Sequence, residues 1–178
     1  QLTLEDLLNG LLLYSGNDNA VAIADHIAGS TEKFAEMMNA EAKKLMATNS
    51  HFVNPSGLHD DNHYTTAYDL YLIFNECIKH DDFVKIINSS SYTAHITGAD
   101  GTKRDVKWEP TNYYAKGEAT PPDNVTIIGG KTGTTKGAGN CLILLTKDSS
   151  GNPYISIIMG AGSKPLLYQD MTSMLSKI

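Results

Sequence analysis

The sequence is poor in cysteine and tryptophan and has no long hydrophobic run. Its 178 residues include 2 cysteines, Cys77 and Cys141, and 1 tryptophan. Two isolated cysteines are too few for a disulfide scaffold or a zinc site, and each lies within an apolar pattern. No apolar stretch approaches the roughly 20 residues of a membrane-spanning helix. The composition therefore indicates one globular domain, residues 1–178, with a hydrophobic core and no membrane span.

Clusters of basic residues are also missing. The chain has 14 Lys and Arg against 20 Asp and Glu, a formal net charge of −6. Since phosphate backbones are bound by clustered Lys and Arg, this balance argues against nucleic acid as a partner. The histidine-containing cluster His59–His63 has no third well-spaced ligand, so we expect a solvated loop there. We predict no metal and no cofactor.

Helical periodicity covers much of the first half and the end of the chain. It predicts helices over residues 3–13, 20–27, 31–47, 66–78 and 163–178. Thr3 and Asp18 are predicted to cap the first two helices, and Thr66 with Asp69 has the spacing of a capping box. The apolar stripe of each helix is expected to face the core. Among the residues of these stripes are Leu4, Leu7, Leu8, Leu11, Leu12, Ile27, Met37, Met38 and Cys77.

Strand signals occupy most of the second half. Residues 91–108 favour a hairpin around the turn 98–101. Three short apolar runs then predict adjacent antiparallel strands at 125–130, 141–146 and 154–159. Residues 49–65 and 113–122 are predicted to be loops. Antiparallel strands followed by a terminal helix predict an α+β fold, in which a sheet packs against helices.

The tripeptide Lys131-Thr132-Gly133 follows the first of these three strands, and hydroxyls continue at Thr134. A lysine at a strand edge is a fixed cation for a carboxylate, hydroxyls add hydrogen bonds, and glycine allows close approach of another backbone. This arrangement suits an extended peptide that ends in a carboxylate. The alternative is a strand that ends in a polar turn, and the tripeptide alone does not decide between the two.

The tripeptide Ser15-Gly16-Asn17 lies between two predicted helices, where a hydroxyl and an amide can project from a loop into a cleft. The same tripeptide recurs at Ser150-Gly151-Asn152. Because Ser, Gly and Asn are common in hairpin turns for backbone reasons, we interpret the second copy as a turn. Only the first copy has a helix–loop–helix setting.

In this order the two motifs resemble those of serine β-lactamases and penicillin-binding proteins, which share Ser-x-x-Lys, Ser-x-Asn and Lys-Thr-Gly. The detailed resemblance is to the serine-type D-alanyl-D-alanine carboxypeptidases, and it covers essentially the whole chain. Besides residues 7–20 and 130–142, it includes residues 54–58 and 64–70. It implies a fold like that of β-lactamases and transpeptidases.

The resemblance also implies an activity, the removal of the terminal D-Ala from peptidoglycan stem peptides through an acyl-enzyme. That activity would lie outside the bacterial cytoplasm and would be inhibited by β-lactam antibiotics. By the same resemblance, Ser15 relays a proton toward the leaving amine and Asn17 holds the substrate backbone. The Lys-Thr-Gly strand engages the terminal carboxylate, and the next residue lends its N–H to an oxyanion hole. These substrate-binding residues are Lys131, Thr132, Gly133 and Thr134.

The first motif of the set, Ser-x-x-Lys, has no counterpart before Ser15. In the family its serine attacks the peptide carbonyl, and its lysine one helical turn later assists proton transfer. The one Ser-x-x-Lys of this chain, Ser30 to Lys33, follows the second motif and has the setting of a helix cap. We therefore expect the first strands and the nucleophile helix to precede Gln1. We also expect no acyl-enzyme from this chain alone, and dimers through an open sheet edge.

Two other functions are open. A non-catalytic module would bind cell-wall peptide or a partner through the half-cleft of Ser15 and Lys131. A β-lactamase would share the chemistry, but it requires a deacylating water and usually a loop glutamate to activate it. The loop of residues 54–64 contains no glutamate, which argues against a β-lactamase.

Overall fold

The computed structural model describes the whole chain, residues 1–178, as seven helices and two antiparallel sheets. The helices are α1 (Leu4–Leu12), α2 (Asn17–Ala28), α3 (Thr31–Lys44), α4 (Ala67–Cys77), α5 (Asp81–Ile87), α6 (Tyr113–Lys116) and α7 (Lys164–Leu175). The strands are β1 (Tyr92–Thr97), β2 (Lys103–Trp108), β3 (Val125–Thr135), β4 (Gly139–Asp148) and β5 (Pro153–Ala161). The predicted α+β class is confirmed.

The larger sheet has the strand order β3-β4-β5, with antiparallel neighbours throughout. One face of β4 packs on α7, where Leu142, Leu144, Met171 and Leu175 are almost fully buried. β3 is longer than the predicted strand, because it pairs with β4 as far as Thr135 opposite Gly139. The Lys-Thr-Gly tripeptide therefore lies inside an edge strand rather than after it.

A shift of register interrupts the β3–β4 pairing between Ile127 and Gly129. Beside this bulge β3 approaches the end of α5 so closely that a Cβ at Gly129 would overlap the Ile87 carbonyl group. The glycine is thus required by packing. Helix α5 was not predicted, since its 7 residues are too few to display a helical period.

Helix α1 begins with the capping arrangement expected of Thr3, whose hydroxyl accepts from the Asp6 N–H at 3.1 Å. The predicted burial of its leucine stripe is wrong at Leu4, which is 59% exposed. The buried residues of α1 include Asp6 and Asn9. Asp6 is buried because it accepts a hydrogen bond from the Tyr92 hydroxyl at 2.9 Å. Contact with β1 therefore turns a polar side of α1 inward.

Helix α2 begins at Asn17 with Gly16 as its N-cap, so the prediction that Asp18 caps it is wrong. The helix starts earlier because Ser15 adopts a left-handed conformation, with φ of 68°. This reversal lets the Gly16 N–H donate to the Gly10 carbonyl at 2.9 Å. The connection between α1 and α2 is therefore a tight turn, and it contains the first Ser-Gly-Asn tripeptide, Ser15-Gly16-Asn17.

Three other expectations about the helical region are wrong. Ile27 and Met37 are 53% and 50% exposed, because α2 and α3 pack through small residues such as Ala24 and Ala35 instead. Residues 113–116 form the short helix α6 rather than loop, because the Asn112 side chain accepts from the Tyr114 N–H at 3.1 Å and starts one helical turn.

Asp69 makes a different contact from the one that a capping box requires. Its own N–H donates to the Thr66 hydroxyl at 3.1 Å, as predicted. Its carboxylate, however, accepts from the Asn49 N–H at 2.7 Å and from the Ser50 hydroxyl at 2.8 Å. The buried carboxylate therefore ties α4 to the loop before it. Cys77 is half-buried at the end of α4, and Cys141 lies in β4.

The chain contains no helix that combines the length and the apolar character needed to cross a membrane. Nor does it contain a group of three or more His, Cys, Asp or Glu side chains placed to hold a metal ion. In the histidine cluster, His59 lies 3.5 Å from Asp61, and the ring of His63 packs edge-on against Phe52.

Candidate active site

Lys131 lies in the edge strand β3 and points at the connection between α1 and α2. Its Nζ donates to the Ser15 hydroxyl at 2.5 Å and to the Thr132 carbonyl at 2.8 Å. Burial of the amine disfavours its charged form and lowers the pKa of Lys131 to about 8. The structure thus joins two motifs that are 116 residues apart in sequence.

Ser15 lies in the tight turn between α1 and α2 and adopts a left-handed conformation, with φ of 68°. Only two residues other than glycine have positive φ, Ser15 and Met46. Such a conformation costs on the order of 1–3 kcal/mol for a residue with a Cβ, and it clusters at functional sites. Here it presents an exposed hydroxyl next to the first turn of α2.

A cavity of about 290 Å³ opens beside this pair. Of the residues predicted for the site, Ser15, Asn17, Thr132, Gly133 and Thr134 line it. Lys131 does not line the cavity but reaches its rim through the contact with Ser15. The fold therefore brings together all the residues that the two motifs predicted.

Thr111 is a residue of the cavity that sequence reasoning missed. Its hydroxyl oxygen lies 2.6 Å from the hydroxyl oxygen of Thr132, so one of the two donates to the other. The contact fixes the rotamer of Thr132 toward the cavity. Thr111 lies between β2 and α6, and no local pattern marks it, because its partner is 21 residues away.

Two tyrosines among the cavity's lining residues were also missed. The rings of Tyr113 and Tyr168 stack with centroids 4.6 Å apart, and the Tyr168 hydroxyl accepts from the Tyr113 N–H at 2.9 Å. Burial raises the pKa of Tyr168. Lys164 adds a second cation, with its Nζ 5.6 Å from the centroid of the Tyr113 ring. The cavity thus combines positive charge, hydroxyls and two stacked tyrosines among its lining residues.

The two look-alike motifs lie elsewhere, as predicted. Ser30 caps α3 by accepting from the Lys33 N–H at 3.2 Å, and the Lys33 side chain faces solvent. In the second Ser-Gly-Asn, the N–H groups of Ser150 and Asn152 donate to Asp148 at 2.9 and 2.8 Å. This second copy is a turn between β4 and β5.

Lys131 in an edge strand, with the Thr132 hydroxyl beside it, is suited to bind a peptide carboxylate. The hydroxyl of Ser15 opposite it is suited to transfer a proton. Together with helices packed on an antiparallel sheet, these features define the class of penicillin-binding serine peptidases.

The family profile described as D-alanyl-D-alanine carboxypeptidase matches residues 1–163. DacF of Bacillus subtilis, a D-alanyl-D-alanine carboxypeptidase, is 31% identical over 98% of this chain and 42% of its own length. DacD of Escherichia coli, also a D-alanyl-D-alanine carboxypeptidase, is 33% identical over 92% of this chain and 38% of its own length. The chain belongs to the D-alanyl-D-alanine carboxypeptidase family. It spans less than half the length of these two curated relatives.

Solved structures agree with the fold. The S216A mutant of the Streptomyces K15 DD-transpeptidase superposes with a TM-score of 0.88 at 28% identity, over 98% of this chain and 67% of that one. A D-alanyl-D-alanine carboxypeptidase of Mycobacterium tuberculosis superposes with a TM-score of 0.79 at 29% identity, over 97% of this chain and 62% of that one. The expected fold is therefore confirmed.

Proposed function

We propose that this chain is the substrate-holding part of a serine-type D-alanyl-D-alanine carboxypeptidase that removes the terminal D-Ala from peptidoglycan stem peptides. The observation that carries the proposal is the contact between Lys131 and Ser15 at the rim of a cavity lined by Thr132 and Thr134. Residues 1–178 act as one domain in this role. The protein works outside the cytoplasm, where its substrate is found.

The roles follow from the positions of the side chains. Lys131 and Thr132 bind the terminal carboxylate of the peptide, which lies along the open edge of β3. Asn17, at the start of α2, holds the peptide backbone. Ser15 passes a proton to the leaving amine through its contact with Lys131. Gly133 leaves room for the substrate backbone, and the N–H of Thr134 stabilises the oxyanion.

β-Lactam antibiotics would occupy the same place, since they also present a carboxylate next to a reactive carbonyl. Stable acylation by a penicillin requires the Ser-x-x-Lys serine, which residues 1–178 do not supply in the expected order. We therefore expect fluorescent penicillin to leave this chain without a stable covalent label. The solvent-facing pair of Ser30 and Lys33 has no part in this chemistry.

A second candidate function is a non-catalytic module that binds cell-wall peptide. The observation that favours it is the placement of the only Ser-x-x-Lys at a helix cap, away from the cavity. Both functions require the same carboxylate site at Lys131. They differ in turnover of the peptide, not in its binding.

Titration of an N-acyl peptide ending in D-Ala-D-Ala into the labelled chain, followed by NMR, tests the carboxylate site. We expect shifts at Thr132 and Thr134, and Lys131→Met should weaken binding about tenfold or more, because a charged hydrogen bond is lost. Lys136→Met, an equal charge change at an exposed lysine of the next turn, is the control. The C-terminal amide of the peptide should bind poorly.

The same site makes binding depend on pH. Lys131 is cationic below its pKa of about 8 and neutral above it, so peptide affinity should fall as the pH rises through that value. A carboxylate favours the cation, which moves the transition in the complex to higher pH. Affinity that is unchanged from pH 6 to about 10 would contradict a charged Lys131 as the anchor.

We also propose that the chain forms dimers through its sheet. β5 pairs with β4 alone, so its other edge offers unpaired backbone groups. Tyr154 and Met159 on this strand are 40% and 39% exposed. Unprotected edges of this kind associate with a second strand.

A further inference from the structure

We propose that Ser15 is itself a nucleophile, with Lys131 as its base, and accepts an acyl group from neutral activated esters. This activity goes beyond the proposed carboxypeptidase, in which Ser15 only relays a proton. It rests on the geometry of the pair and of the cavity into which the serine opens. Among the side-chain contacts of the chain, no other serine is hydrogen-bonded to a lysine ammonium.

Ser15 has the features of an activated serine. Its hydroxyl is exposed to the cavity, while its backbone is held in a left-handed turn that limits where the oxygen can point. The turn leads directly into α2, whose first N–H groups lack partners within the helix. The partial positive charge at this helix end favours a developing alkoxide or oxyanion nearby.

Lys131 has the features of a base. Its Nζ is 2.5 Å from the Ser15 oxygen, and no carboxylate forms an ion pair with it. Burial lowers the pKa of Lys131 to about 8, so a substantial fraction is unprotonated at mildly alkaline pH. The titratable groups that share the cavity contribute no carboxylate; they are Tyr113, Cys141, Lys164 and Tyr168.

The covalent step is an acyl transfer. The unprotonated Nζ of Lys131 takes the hydroxyl proton as the Ser15 oxygen attacks the ester carbonyl carbon. The ester C–O bond then breaks, the alcohol oxygen leaves with the bonding pair, and the proton passes to it or to solvent. The products are an ester on Ser15, the free alcohol and neutral Lys131 again.

The electrostatics select the class of substrate. An acyl donor with a carboxylate would pair with protonated Lys131, raise its pKa and remove the base. A neutral donor with a good leaving group leaves the amine free. The cavity of about 290 Å³ beside Ser15 has room for a small donor of this kind. The charge of the ligand therefore decides between the two activities. An anionic peptide is bound by protonated Lys131, and a neutral ester acylates Ser15 while Lys131 is neutral.

The test is acetylation of the chain by p-nitrophenyl acetate, with the modified residue located by peptide mass spectrometry. We expect an ester on Ser15 that hydroxylamine removes, formed at a rate that rises with pH around 8. Ser15→Gly removes the hydroxyl and accepts the φ of 68° without strain, and it should abolish this label. Lys131→Met should slow the label about 100-fold, the size of a general-base contribution.

Matched controls come from the look-alike motif. Ser150→Gly alters the same tripeptide in a turn that has no lysine contact, and Lys136→Met removes an exposed amine; both should label like the unmodified chain. Equal labelling of Ser15 and Ser150, a label confined to lysine amines, or an unchanged rate in Lys131→Met would overturn the proposal. Peptide affinity is measured in a separate titration, and none of these labelling results predicts its value, so the two proposals fail separately.

Discussion

At the scale of single residues, Lys131 shows how surroundings decide what a side chain can do. A solvated lysine has a pKa near 10.4 and is only a cation at neutral pH. In this fold the amine is buried against Ser15, and its pKa of about 8 makes both charge states available. The same residue is therefore suited to hold a carboxylate when protonated and to take a proton when neutral.

Thr111 is expected to support peptide binding through its contact with Thr132. Thr111→Val keeps the shape of the side chain but removes the hydroxyl that contacts Thr132 at 2.6 Å. The freed Thr132 rotamer should cost about 1 kcal/mol of peptide binding, a fivefold weaker affinity.

NMR titration of the D-Ala-D-Ala peptide measures this effect. Thr126→Val is the control, because Thr126 is an exposed threonine of β3, the strand that also contains Thr132. If both variants bind the peptide as the unmodified chain does, Thr111 does not position Thr132.

At the scale of elements, two connections place the site. The turn between α1 and α2 delivers Ser15, and the bulged strand β3 delivers Lys131. Glycine is required in β3, because a Cβ at Gly129 would overlap the Ile87 carbonyl group, whereas a Cβ at Gly10 in α1 would meet only the end of the Asn19 side chain. The packing of neighbouring elements thus sets the geometry of residues that are distant in sequence.

The junction between α4 and the loop before it is expected to contribute to stability through Asp69. Asp69 is 1% exposed, and its carboxylate accepts from the Asn49 N–H and the Ser50 hydroxyl. Asp69→Ala leaves both donors without their partner and should lower the free energy of unfolding by about 3 kcal/mol.

Urea unfolding followed by circular dichroism measures the change. Asp170→Ala, at an exposed position of α7, should stay within about 0.5 kcal/mol of the unmodified chain. Equal stability of the two variants would show that the loop is held by other contacts.

At the scale of the whole molecule, the sheet has an edge that no element of the chain pairs with. β5 is bonded to β4 on one side only, and this edge is the proposed dimer surface. A charged side chain on an edge strand opposes pairing, since the charge would be trapped between two sheets. Met159→Lys should therefore shift the chain toward monomer.

Sedimentation analysis over a range of concentrations measures this shift. Met37→Lys introduces the same charge at an exposed methionine of α3 and should leave the dimer intact. A chain that is monomeric at every concentration would contradict the proposed dimer.

The sequence by itself determined the class of fold and the two motifs. Helical spacing and short apolar runs are local, so they predicted five of the helices and all five strands, and Lys131 and Ser15 stand out by their neighbours in sequence. The setting of Ser30 before a helix likewise identified it as a cap.

Only the tertiary structure decided what depends on distant partners. Thr111 and Tyr168 joined the site, Asp6 and Asp69 became buried, and Met37 stayed exposed, because contacts between elements outweigh local patterns. The tertiary structure also set the pKa of Lys131, since burial of its amine follows from how β3 meets the α1–α2 turn. Identity of the motif residues is thus a property of the sequence, while their chemistry is a property of the fold.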